Sequence, residues 1–205
     1  MSEQSAKIAV LVSGGGTNLG ALIKAQEKGI LKNGRIEIVI SNKADAYALT
    51  RANKAGIKSA TVIKKELGSQ EAFEDRIIEI IENNRIDVIV LAGFMAILSE
   101  RFTKKYPKRI INVHPSLIPA FCGKGFYGLT PHIEALKYGV KVTGATVHFV
   151  NEVPDGGEII MQKAVKIEPT DTPETLQKRV MRLAEWKILP LSVEKVCEEI
   201  LRNRG

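Results

Sequence analysis

Continuous apolar runs of strand length alternate with segments of helical periodicity through the first hundred residues, and few architectures other than a parallel sheet accept that pattern. Ile8-Ala-Val-Leu-Val12, Ile36-Glu-Ile-Val-Ile40, Thr61-Val-Ile63, Asp87-Val-Ile-Val-Leu91 and Arg109-Ile-Ile-Asn-Val113 read as strands. A strand that is apolar at successive positions needs cover on both faces, which crossover helices supply. Helices are predicted from near Thr17 to before Gly29, from about Ala46 to Ala55, and from Glu71 to Asn83, where Phe73, Ile77, Ile78, Ile80 and Ile81 recur at helical spacing. The predicted class is α/β, a mostly parallel twisted sheet with helices on both faces.

The second half reads differently. Pro115, Pro119, Gly123, Gly125 and Gly128 interrupt residues 115–130, and a short helix is expected over Pro131–Tyr138. Two longer strands, Val142–Val150 and Glu158–Ile167, flank the loop Asn151-Glu-Val-Pro-Asp-Gly-Gly157. A long terminal helix is predicted from about Thr172, opened by Thr172-Pro-Glu-Thr175 and broken or kinked at Pro190. No repeat or low-complexity linker separates the halves, so residues 1–205 are expected to form a single domain.

Composition narrows the function classes. With 44% hydrophobic and 26% charged residues, the chain is neither disordered nor collagen-like. Thirty Lys+Arg against 23 Asp+Glu leave a net charge of +7, dispersed along the chain. The densest basic stretch, Lys104-Lys105-Tyr106-Pro107-Lys108-Arg109, has no aromatic-rich partner segment, so an anionic small molecule is preferred to nucleic acid. Cys122 and Cys197 make neither a disulfide framework nor a metal-ligand spacing. The three histidines (His114, His132, His148) lack any H-E-x-x-H-type spacing, so no metal is expected. The start runs straight into the first strand without a signal-peptide core, and no apolar run approaches the roughly 20 residues of a membrane span. A reduced, cytoplasmic setting without membrane attachment is the expectation.

Three local features carry chemistry. Ser13-Gly-Gly-Gly-Thr-Asn18 joins the first strand to the first helix, where glycines allow close approach and free N–H groups attract an anion. Gly14 and Gly16 fit the dinucleotide fingerprint, but Leu19 stands where its third glycine belongs, and Ser41-Asn42 replaces the acid that ends its second strand. A P-loop Gly-Lys-Ser/Thr is absent, which leaves a small phosphate site, with Thr17 and Asn18 as donors, or simply a tight turn. Asn112 and His114 lie two apart on a strand and so share a face just before Pro115. An amide donor beside an imidazole can hold an oxyanion while the ring moves a proton, although such a pair is more often structural. Asp155, in Val-Pro-Asp-Gly-Gly, reads as a turn residue, and beside a histidine its carboxylate would favour the imidazolium. His148 is expected to pack and to orient this loop, His132 to meet solvent or substrate in a first helical turn, and Cys122 to be an incidental loop thiol.

Taken together, Val12-Ser-Gly-Gly-Gly-Thr-Asn-Leu19, Ile40-Ser-Asn-Lys-Ala-Asp-Ala46, Val90-Leu-Ala-Gly-Phe-Met95, Asn112-Val-His-Pro-Ser-Leu-Ile-Pro119, Gly144-Ala-Thr-Val-His-Phe-Val150 and Asp155-Gly-Gly157 resemble the folate-dependent formyltransferases. Within them the glycine loop resembles the phosphoribosylglycinamide formyltransferases of purine synthesis. The resemblance implies a Rossmann-like formyltransferase fold, with residues 1–100 as the phosphate-binding half and 101–205 as the catalytic and folate-binding half. It implies that Asn112, His114 and Asp155 are catalytic, with glycinamide ribonucleotide as acceptor and 10-formyltetrahydrofolate as co-substrate. Gly16, Thr17 and Asn18 would hold the ribonucleotide phosphate and Glu185 would meet its amine end. Met95, Ala96, Ile97 and Leu98, with Asn112 and Asn151, Glu152, Val153 and Pro154, would surround the folate pterin.

Some positions depart from that pattern. Gln70 and Ala96 stand where relatives carry arginines, Thr130-Pro-His132 replaces a His-x-His, and Glu158 replaces a proline. Lys124 or Lys108 would then supply charge for the folate tail. Two related activities are weighed against it: hydrolysis of formyltetrahydrofolate, which would use the same Asn, His and Asp with water as acceptor, and formylation of methionyl-tRNA. Both are expected to need added domains for which 205 residues leave no room. A non-catalytic phosphate- or nucleic-acid-binding module would leave the Asn–His–Asp set unexplained, and monomer and homodimer both stay open.

Overall fold

The protein is seen in a computed structural model that describes residues 5–204; Met1–Gln4, on which part of the leader reading rests, lie outside it. Eight α-helices and seven strands follow in order among the described residues: β1 (Ala6–Val12), α1 (Thr17–Glu27), β2 (Gly34–Ser41), α2 (Tyr47–Lys54), β3 (Lys58–Thr61), α3 (Lys64–Leu67), α4 (Gln70–Asn83), β4 (Val88–Leu91), α5 (Glu100–Lys105), β5 (Ile110–His114), α6 (Thr130–Tyr138), β6 (Val142–Phe149), β7 (Ile159–Lys166), α7 (Pro173–Val180) and α8 (Trp186–Arg202). The strands form one sheet ordered β3-β2-β1-β4-β5-β6-β7. β1 to β5 are parallel, and β6 and β7 are antiparallel to their neighbours.

Strand alternation sorts the apolar residues onto two faces. Ile8, Val10 and Val12 join Val88, Val90, Ile111 and Val113 beneath α1, α2, α7 and α8. Ala9 and Leu11 join Ile89 and Ile110 beneath α4 and α5. In β2 the alternation slips, because a register shift opposite Ile8/Ala9 skips Glu37, and Ile38 and Ile40 then face α4. Every continuous apolar run is thereby buried on both sides, which is why the run pattern betrayed the architecture. No helix among the described residues is long and apolar enough to cross a membrane.

Several predicted bounds move. The third strand is Lys58–Thr61 rather than Thr61–Ile63; it is an exposed edge strand, so no apolar run marks it. Helices α3 and α5 span 4 and 6 residues, too short to show a period. The terminal helix does not break at Pro190, which lies inside α8. Its irregularity is a single π-helical turn at Met181–Glu185, between α7 and α8.

Candidate active site

Parallel strands deliver their C-terminal ends to one edge of the sheet, where α/β folds bind ligands. β1 ends in the glycine loop, β4 runs into residues 93–98, and β5 ends in Asn112 and His114. Asn112 and His114 fall on the same strand face as Ile110. α5 packs over Ile110, and the two polar residues lie beyond it toward the C-terminal end of the strand.

Antiparallel pairing of β5 with β6 places Asn112 opposite His148 and His114 opposite Thr146. Asn112 Nδ2 lies 3.2 Å from His148 Nε2 and 3.5 Å from Asp155 Oδ1. His114 Nδ1 lies 3.4 Å from Asp155 Oδ2, and His148 Nε2 lies 3.5 Å from Asp155 Oδ1. Asp155 therefore sits at the centre of Asn112, His114 and His148, and its Oδ2 also accepts the Gly123 N–H at 2.9 Å. Asp155 adopts a left-handed φ of 55°.

Carbonyl partners settle which ring nitrogens carry hydrogen. His114 Nε2 lies 2.9 Å from the Phe121 carbonyl, and His148 Nδ1 lies 2.8 Å from the Phe149 carbonyl. A carbonyl oxygen only accepts, so both of these nitrogens donate. His114 then turns its Nδ1 toward the Asp155 carboxylate. Burial pushes the His114 pKa down, and the attraction of Asp155 and the Phe121 carbonyl does not make up the difference. In the unliganded site the net shift of His114 is therefore downward, with Asp155 opposing it. Asp155 itself is pushed up by burial but held below the usual carboxylate range by His148, the Gly123 N–H and His114.

His132 does not meet solvent: it is fully buried, and neither ring nitrogen has a hydrogen-bond partner among the described residues. Burial and the nearby His114 drive its pKa to about 4, so it is neutral at neutral pH. Cys122 Sγ contacts the Pro119 carbonyl, and burial and Asp155 push the thiol pKa up, which makes it a poor nucleophile.

The glycine loop opens α1 with Gly16 at φ 66°, and no side chain caps the helix. Thr17 stands exposed at this end. The Asn18 side-chain amide donates to Glu185 Oε2 at 2.8 Å. Glu185, from the π turn, is buried, and burial raises its pKa to about 7 against the pull of Asn18. Asn18 thus ties the loop to the carboxyl at the proposed amine end.

Gly16 has a structural duty as well. A Cβ there would stand 2.6 Å from Ala48 Cβ, whereas one at Gly15 would meet nothing within 4 Å. Gly16→Ala should lower stability by about 1–3 kcal/mol, through strain at positive φ and overpacking. Gly15→Ala should change it by no more than about 0.5 kcal/mol. Urea unfolding of both variants tests this; equal losses would show that Ala48 does not confine the loop.

Residues 95–98 alternate in orientation. Met95 and Ile97 are exposed, while Ala96 and Leu98 pack on the core, so only the first two present side chains outward. Ser13 Oγ accepts the Met95 N–H, and Gln70 Nε2 donates to the Ile97 carbonyl, which pins the segment at both ends. Glu152, Val153 and Pro154 are exposed, and Asn151 Oδ1 accepts the Val153 N–H. Lys108 is paired with Glu158 at 2.8 Å, so its charge is already engaged. Among the described residues no cluster of His, Cys, Asp and Glu could hold a metal.

The family model described as formyl transferase matches residues 6–193. A phosphoribosylglycinamide formyltransferase of Haemophilus influenzae is 42% identical over 96% of this chain and 89% of its own length. The trifunctional purine biosynthetic protein adenosine-3 of Bos taurus is 44% identical over 98% of this chain, which spans only 19% of that protein. The crystal structure of glycinamide ribonucleotide transformylase 1 from Symbiobacterium toebii matches with a TM-score of 0.89 and 37% identity, covering 97% of this chain and 94% of that one. Whole-chain likeness in sequence and fold thus accompanies a polar cluster set at the carboxyl edge of the sheet, and the chain belongs to the formyl transferase family.

Proposed function

We propose that this chain transfers the formyl group of 10-formyltetrahydrofolate to the amine of glycinamide ribonucleotide, a step of purine biosynthesis. The observation that carries the reading is the meeting of Asn112, His114 and Asp155 at the sheet edge that also bears the glycine loop. The ribonucleotide phosphate rests on Gly16, Thr17 and the amino end of α1, where backbone N–H groups and the helix dipole favour an anion. Its amine end reaches Glu185, whose pKa of about 7 suits it to take a proton from an ammonium group. Residues 95–98 and 151–154 flank the pterin, with Met95 and Ile97 as its apolar contacts.

The amine nitrogen attacks the formyl carbon and a C–N bond forms. The carbonyl oxygen gains negative charge, which the Asn112 amide stabilises on exchanging its long 3.5 Å contact with Asp155 for the oxyanion. The bond from that carbon to the folate nitrogen then breaks, and the proton lost by the amine ends on that nitrogen. His114 carries the proton: its Nδ1 accepts it beside Asp155, and the imidazolium surrenders it to the leaving nitrogen. The two cysteines are free thiols, in keeping with a reducing cytoplasm as the site of action.

Incubation with 10-formyltetrahydrofolate, with and without glycinamide ribonucleotide, tests the reading. Tetrahydrofolate should appear at least about tenfold faster with the acceptor, which corresponds to about 1.4 kcal/mol of barrier. Equal rates would assign hydrolysis instead.

A further inference from the structure

A groove of about 810 Å³ runs over α1 between α2 and α8, on the outside of the helical layer. Gly20 lies in its floor, Tyr47 and Arg51 rise from α2, and Trp186 and Leu191 rise from α8. Trp186 is the chain's single tryptophan, and it, Tyr47 and Leu191 are 37%, 52% and 48% exposed. Five cations line the groove (Lys24, Lys28, Arg51, Lys54 and Lys187) against the one carboxylate of Glu27. None of the five takes part in an ion pair among the described residues. Five of the chain's 30 cations thus share one groove with a single carboxylate.

Gly20 breaks a local rule without an internal reason. A glycine in a helix interior costs about 0.5–1 kcal/mol relative to alanine. A Cβ at this position would touch only the Arg51 side chain, at an ordinary 3.5 Å. Nothing inside the molecule forbids the alanine, and its absence keeps the groove floor open to a close neighbour. Arg51 is partly committed, since its Nε donates to the Gly15 carbonyl at 2.8 Å and its guanidinium lies 5.0 Å from the Tyr47 ring. Four lysines remain for a ligand.

We propose that this groove binds a nucleoside polyphosphate, its base against Trp186 and its phosphates along Lys24 and Lys28. The volume is that of a small-molecule site, and the apolar lining with a few charged groups is the usual composition of one. The two lysines stand one helical turn, about 6 Å, apart on α1, a spacing that lets each serve a different phosphate of a chain. A second copy of the protein is a poor occupant, because a two-fold contact would set the five cations against themselves.

Trp186 supplies its own reporter. Titration of the whole chain with ATP should change tryptophan emission saturably, while inorganic tripolyphosphate and adenosine should each bind at least about tenfold more weakly. Lys24→Ala combined with Lys28→Ala should weaken ATP about tenfold or more, the loss expected for charge-assisted hydrogen bonds, with kcat unchanged. Saturating glycinamide ribonucleotide should leave the ATP midpoint where it was. The proposal fails if no saturable change occurs, or if tripolyphosphate binds as tightly as ATP and so marks a bare anion patch. It also fails if the lysine variants bind ATP normally, or if the ribonucleotide displaces ATP and so places it on the glycine loop.

Discussion

Asp155→Asn should leave the protein folded and lower kcat by about 10³-fold, within the range that general acid–base groups contribute. Asparagine is the informative replacement because residue 155 sits at φ 55°, a region that asparagine tolerates and alanine does not. The amide oxygen can still accept the Gly123 N–H that Oδ2 now holds at 2.9 Å, so the loop keeps its anchor. What disappears is the negative charge 3.4 Å from His114 Nδ1. The sign follows directly. A carboxylate favours the imidazolium, so its removal must lower the His114 pKa further below a value that burial already depresses. The ring then accepts the amine proton less readily, and the tetrahedral intermediate loses its proton carrier. Substrate KM should change little, because the charge matters most in the transition state. Steady-state kinetics with an NMR titration of His114 checks both halves. A kcat within threefold of the parent, or an unmoved His114 titration, would remove Asp155 from the mechanism.

Local features were legible in the sequence and assembled ones were not. The glycine loop and the Asn112–His114 pair could be read because each needs only a few consecutive residues and a strand's period of two. His148 could not be given its place, since its contact with Asn112 depends on the register between β5 and β6. One signal was present: Thr146 and His148 put polar groups at alternate positions between the apolar Ala145, Val147 and Phe149, the mark of a face that looks onto something polar. The contact of the Asn18 amide was equally hidden, because its partner Glu185 is 167 positions away. Helices α3 and α5 escaped periodicity, and of the two only α5 carries a serine cap: Ser99 accepts the Phe102 N–H, whereas Ile63 opens α3 without a side-chain cap. Pro190 misled for a different reason. A proline in a helix demands local relief, but the coordinates of that relief depend on packing, and the irregular turn lies at Met181–Glu185, where it also delivers Glu185 to the site.

Gly157→Ala should reduce kcat by about 10²-fold without altering any side chain that touches substrate, the effect of displacing a catalytic group by about 1 Å. As a sequence element, Asp-Gly-Gly reads as a flexible turn. Gly157 serves another purpose, since it is not held at positive φ but is pressed against the end of β6. A Cβ at residue 157 would fall 1.7 Å from the Phe149 carbonyl oxygen and 2.7 Å from its carbon. That carbonyl cannot yield cheaply. It accepts the His148 Nδ1 hydrogen at 2.8 Å, while the N–H groups of Phe149 and Val150 are bound to Glu158 and Ile110. The 151–157 loop must move instead, by more than 1 Å, and it takes Asp155 away from both histidines. Stability should fall by about 1–3 kcal/mol, as for other overpacked sites, and the folded population should remain high enough to assay. The ribonucleotide KM should stay near the parent value, because the glycine loop lies on a different strand end. A variant that keeps its circular dichroism spectrum, loses kcat and retains that KM fits the argument. One that keeps full turnover would show that the carboxylate does not depend on this close contact for its position.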